Sequence, residues 1–262
     1  MPTFLFDLPL PVAATLIVAA LCLFAIVGLG LARRFVLARL HIRIEDSEFS
    51  AAMLQAVMVF YGLAVALIAV SVWQTYDHVS DIVSEEATAL NMLYRDVTSY
   101  PQPYRGQLQE SLRDYVQEVI HVSWPKQRRG QVPTGGIERM TRFQSILTGY
   151  EPESEGQKIM HAEALHAYNS VIRARRLRLD AVGTHLPGVM WFVIVAGALI
   201  SLAASFFFKV DDPRLHQIQT VLLATFMGLL IFLILSLDQP FRGDLGIRPD
   251  PYQLVYDQIM KP

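Results

Sequence analysis

Four long runs of apolar residues, free of Lys, Arg, Asp and Glu, set the limits on what this 262-residue chain can fold into. They cover Leu10 to Ala32, Ala51 to Gln74, Gly188 to Phe208 and Ile218 to Leu237. Crossing a hydrocarbon layer of ~30 Å takes about 20 residues of helix, and each run approaches or exceeds that length. Lipid offers no hydrogen-bond partners to a backbone, so each run must close its own bonds as a helix. Charged residues make up only 18% of the chain and avoid the runs, so the pattern is that of a multi-pass membrane protein and not of a soluble core. The expected architecture is all-α: a first transmembrane pair over 1–74, an extramembrane helical domain over 75–187, a second pair over 188–237 and a tail over 238–262.

The first run is too long for the apolar core of a secretory signal, has no basic segment before it and ends in Arg33-Arg34, so it is read as a retained anchor. The single cysteine, Cys22, lies inside that run and serves as a small packing residue. A formal net charge of -2 gives no basic excess for nucleic acid. No internal repeat or low-complexity tract is evident.

Between the second and third runs the composition changes. No Gly or Pro occurs from Leu63 to Tyr100, so the second helix is free to continue beyond the membrane. From Ala51 to Thr98 it would measure about 72 Å at a rise of ~1.5 Å per residue. Val79, Val83, Ala87, Leu90, Tyr94 and Val97 give its extension an apolar stripe. Further helices are expected over Arg105–Val122 (stripe Leu108, Leu112, Tyr115, Val119, Val122), stopped by Trp124-Pro125, and over Ile137–Leu147. The last, Gln157–Val182, carries Met160, Leu165, Tyr168, Ile172, Leu179 and Val182 and leads through Gly183 and Pro187 into the third span with a kink. Lys126 to Gly136 reads as a polar connection.

Arg33, Arg34, Arg39 and Arg43 follow the first span with no basic residue before it, which puts that loop in the cytoplasm and the central domain outside, in the periplasm of a Gram-negative cell. Arg173, Arg175, Arg176 and Arg178 compete from the domain side, but long loops count less in this rule. This cluster could pair with lipid headgroups or with carboxylates on the extension of the second span.

Asp77, Asp81 and Glu85 recur every four residues just beyond the second span and share a helical face, with Glu86 beside them. On a helix near a symmetry axis they would stack as carboxylate rings that concentrate cations; the plainer reading is a solvated surface face. The second span is also rich in polar residues, with Gln55, Tyr61, Ser71 and Gln74 as candidates to line a pathway, or else to bond between helices. His161 and His166 stand five apart, which does not put two imidazoles on one helical face for zinc. No convergent catalytic motif appears, and no cofactor or metal is implied. Asp238, ending the fourth span ahead of Pro240, could pair with Arg242 or with a basic residue of the domain.

The order of these elements resembles the bacterial bestrophin-like family of unknown function. Glu85-Glu86-Ala87-Thr88-Ala89-Leu90 looks like its EA-x-x-L element, and Tyr115-Val116 with Ser123-Trp124-Pro125 looks like its Y-V…EWP element, Ser123 standing where Glu is frequent. Leu237-Asp238-Gln239-Pro240-Phe241-x-Gly243 is similar to its LDxPFxG signature. The resemblance implies a distant relation to bestrophins, pentameric channels whose second span lines the pore, which conduct anions and whose domain is cytoplasmic. The acidic stripe fits cations better than anions. Two functions are therefore expected in competition: a homo-oligomeric ion channel with the lipid bilayer and inorganic ions as partners, or a membrane-anchored helical sensor or scaffold, with Lys126–Gly136 as a contact site.

Overall fold

The computed structural model describes residues 8–37, 44–208 and 212–261, all helices, turns and short connections with no strand among them. Arg39 and Arg43, which contribute to the charge pattern after the first span, lie outside the described residues. The chain forms two compact units, one of residues 1–74 and 185–238, the other of 75–184 and 239–262.

The first unit holds the four apolar helices. They are α1 (Leu10–Leu31, prolonged by a π-helical turn over Ala32–Leu37), the first part of α2 (Ile44–Asp96), α7 (Gly188–Ser205) and α8 (Pro213–Asp238). All four are long and apolar enough to cross a membrane. In lipid there is no hydrophobic drive to bring apolar helices together, so close packing through small residues has to do it. A Cβ on Gly228 of α8 would stand 3.0 Å from the Cα of Val18 in α1, and one on Gly28 of α1 would overlap the Phe206 ring. Gly197 of α7 likewise leaves room for the ring of Tyr61 in α2. Cys22 is half-buried, with its Sγ 3.4 Å from Thr225 Oγ1 on α8, a packing contact.

The second unit is built around the extension of α2 with α3 (Tyr104–Glu118), α4 (Trp124–Gln127), α5 (Gly136–Thr148), α6 (Glu155–Ala181) and α9 (Asp250–Val255). The α2 stripe is buried as expected, from Val79 through Val97, and it meets Leu108, Leu112 and Tyr115 of α3, Phe143 and Leu147 of α5 and Val171 of α6 in one core. A capping box of Ser154 and Gln157 starts α6.

Several details depart from the sequence reading. Trp124-Pro125 does not stop the third helix. The backbone widens into a π-helical turn over Val119–Ser123, runs on through α4, and so accommodates a proline that lacks an N–H. The widened turn leaves Val122 exposed, off the apolar stripe. In α6 the expected Tyr168 is buried and Leu165, Ile172 and Val182 pack against the core, but most of the buried line is small, Ala164, Ala167, Val171, Ala174 and Ala181, while Met160 faces outward. Alanines let neighbouring helices approach and leave room for a buried Arg178 on the same line. The helix also ends at Ala181 and α7 begins at Gly188, so the two are separate helices and not one kinked rod. Residues 239–262 are no free tail: Phe241, Ile247, Tyr252, Val255 and Met260 belong to the core of the second unit.

Candidate functional site

At about 100° per residue, Ser71, Gln74, Asp77, Asp81 and Glu85 fall within a band about 120° wide on α2. All five are exposed in the protomer. The same band, followed back through the apolar part of the helix, carries Phe60, Leu63, Leu67 and Val70. These too are exposed, Phe60 at 72% and Leu67 at 63%. One face of α2 thus reads apolar through the span, then Ser71 and Gln74, then a ladder of carboxylates. None of the three carboxylates forms an ion pair with a described residue. Within one copy of the chain no three His, Cys, Asp or Glu among the described residues come close enough to hold a metal ion.

Three of the sequence candidates do not belong to this face. Gln55 is exposed, but its register lies about 100° from that of Gln74. Tyr61 points the other way: its hydroxyl donates to the Ile194 carbonyl at 2.8 Å and its ring fills the space over Gly197, so it joins α2 to α7. Glu86 is fully buried. Arg178 Nε donates to its Oε2 at 2.7 Å and Nη2 to its Oε1 at 3.2 Å, and the Tyr115 hydroxyl donates to Oε1 at 2.7 Å. The guanidinium also lies 5.8 Å from the Trp124 ring centroid and 5.7 Å from that of Tyr252. Burial alone would lower the Arg178 pKa, but the facing Glu86 carboxylate holds it well above its ordinary value. The Tyr115 phenol is pushed up by burial and by the same carboxylate. Glu86 is therefore a neutralised structural charge, unlike its neighbour Glu85.

The motif residues are equally structural. Trp124 Nε1 donates to the Ile247 carbonyl at 3.1 Å, and its ring meets Phe241 and Tyr252 edge-on at 5.6 and 5.5 Å. The Pro240 carbonyl accepts from the Ile247 N–H at 2.8 Å, closing the loop that follows α8. Gly243 sits in that loop at φ 73°, a left-handed conformation that favours glycine. Pro125 occupies the first turn of α4, where no backbone donor is needed. Asp238 accepts the Leu186 N–H at 2.6 Å and the Trp191 indole N–H at 3.1 Å. It anchors the start of α7. His161 accepts from or donates to the Tyr100 hydroxyl at 2.8 Å, and burial lowers its pKa.

Sequence reasoning missed the apolar part of the α2 face, because it looked for polar groups inside the span. The available signal was register: Phe60, Leu63, Leu67 and Val70 share the helical face of the acidic ladder.

Among curated proteins none matches the chain. Its fold is similar to that of a bacterial bestrophin homologue from Klebsiella pneumoniae carrying a Leu-to-Thr substitution, with a TM-score of 0.70 at 9% identity, covering 93% of this chain and 98% of the other. A membrane protein with a Leu-to-Ala substitution gives a TM-score of 0.69 at 9% identity, over 92% of this chain and 96% of the other. Another, with a Pro-to-Ala substitution, gives 0.67 at 10% identity, over 95% and 99%. The family model for the bestrophin-like domain matches residues 13–252, nearly the whole chain, and the protein belongs to the bestrophin-like family.

Proposed function

We propose that this protein is a homo-oligomeric ion channel in which copies of α2 surround a central pathway and cations are favoured over anions. The observation that carries the reading is one register of α2, exposed along its length, apolar through the span and acidic beyond it. A carboxylate ladder with no cation partner is well solvated on its own, but repeated around an axis it becomes a vestibule that raises the local cation concentration. Phe60, Leu63 and Leu67 would form an apolar constriction in the span, which conducts when wetted and closes when dry. Ser71 and Gln74 lie at the transition between the two and offer dipoles to an ion regaining its water. The bestrophin-like fold, similar to that of the homologue from Klebsiella pneumoniae, supports the reading as a membrane channel family. Subunit number follows the family resemblance, which implies five.

The test is reversal potential in planar bilayers under a KCl gradient. Wild-type protein is expected to favour K⁺ over Cl⁻, and Asp77→Asn with Asp81→Asn to move the reversal potential toward that of chloride. An unchanged potential in the double variant removes the acidic vestibule, and absence of flux from well-folded oligomers removes the channel.

A further inference from the structure

The first unit contains a cavity of about 330 Å³ that none of the residues above uses. Met58 of α2, Phe208 just after α7 and Leu223 of α8 give it apolar walls, and His216 and Gln219 line it from the first turns of α8. It therefore lies where α7 ends and α8 begins, at the end of the spans, the level at which lipid headgroups meet a bilayer.

Arg33 stands behind the His216 wall of this cavity. His216 is buried, with its Nε2 3.0 Å from the Ser205 carbonyl and its Nδ1 2.9 Å from Arg33 Nη2. A carbonyl oxygen accepts only, so Nε2 carries the hydrogen and Nδ1 accepts from the guanidinium. The imidazole is thereby neutral and holds Arg33 in place without neutralising it. Arg33 is half-buried, and its only partner among the described residues is this ring nitrogen. A guanidinium has five N–H donors in a planar fork, so most of the fork has no partner among the described residues. Gln219 is exposed at the cavity edge, its amide without a hydrogen-bond partner among the described residues. Asp212, just before α8, accepts the Arg214 N–H at 2.8 Å as part of the helix start.

We infer that this cavity is a binding site for an anionic phospholipid, whose phosphodiester is held by Arg33 with the Gln219 amide and whose acyl chain lies along Met58, Phe208 and Leu223. The chemistry is complementary at each end. Two non-bridging phosphate oxygens match the planar fork of an arginine, and the apolar walls match hydrocarbon. A zwitterionic headgroup carries a phosphate as well, but its ammonium would stand beside a cation that no carboxylate among the described residues offsets. The inference rests on the protein's place in the membrane and not on the channel reading.

The experiment is thermal unfolding of the full-length protein in detergent, titrated separately with dihexanoyl phosphatidylglycerol, dihexanoyl phosphatidylcholine and inorganic phosphate. Phosphatidylglycerol is expected to raise Tm in a saturable way, phosphatidylcholine and phosphate not. Arg33→Gln is expected to weaken the apparent affinity about fivefold or more, the fold-change for one basic residue facing an anionic lipid. Arg34→Gln, which removes an adjacent exposed charge, is the control and keeps the wild-type response. Native mass spectrometry, read on whichever variants fold, should find retained phosphatidylglycerol on wild-type protein and on Arg34→Gln, and little on Arg33→Gln. An equal response to phosphatidylcholine, an equal response to phosphate alone, or an undiminished response in Arg33→Gln would each overturn the site.

Discussion

Glu85 and Glu86 are adjacent, chemically identical and about 100° apart on one helix, and that rotation separates their roles. Glu85 is exposed, whereas Glu86 is sealed with Arg178 in the second unit. A buried ion pair contributes little net stability over an apolar replacement, because both charges lose their water, but removing one partner strands the other. Arg178→Met is therefore expected to destabilise the protein by about 3–5 kcal/mol. Adding Glu86→Gln to it should recover much of the loss, since no bare charge then remains. Thermal unfolding of the two single variants and the double variant measures this. A double variant as unstable as the sum of the singles would show that the pair acts through packing against Trp124 and Tyr252 instead of through charge.

At the scale of elements, α2 carries contacts to α7 on the side away from its exposed face. The Tyr61 ring occupies the space that a Cβ on Gly197 would need, so Gly197→Leu should push the two helices apart at a cost of about 1–3 kcal/mol. Tyr61→Ala in the same chain is expected to restore most of the thermal stability, the signature of a direct contact. This contact also marks where the sequence stops being informative. The spans were legible, because ~20 apolar residues without a charge have few other fates, and so was the α2 stripe from Val79 to Val97, whose period is helical. Which way a polar residue in a span points was not, since a tyrosine hydroxyl is satisfied equally by a neighbouring carbonyl or by water. The buried face of α6 was legible only in part: Tyr168 stood out, but hydrophobic patterning favours large side chains and passes over the alanines and Arg178 on the same face. Of the candidate site, the acidic ladder could be read from four-residue spacing. Its apolar continuation through Phe60, Leu63 and Leu67 follows from the same register, which a search for polar groups alone passes over.

At the scale of the whole molecule, the rule that basic loops stay in the cytoplasm pulls in two directions, with Arg33 and Arg34 after the first span and four arginines of α6 on the domain side. The rule counts Lys and Arg and gives little weight to acidic partners, so the ion pairs of Arg178 with Glu86 and of Arg176 with Asp180 do not move it. Because long loops count less, the orientation predicted from sequence has a cytoplasmic first loop and an external central domain. Cys22 is the only cysteine, so Cys22→Ala provides a clean background for labelling. On that background Gln131→Cys, in the exposed connection after α4, should react with a membrane-impermeant maleimide in cells whose outer membrane alone has been permeabilised. Arg214→Cys, exposed at the start of α8, should react only after lysis. The reverse pattern would place the acidic ladder on the cytoplasmic side, so that the vestibule would gather cations leaving the cell rather than entering it.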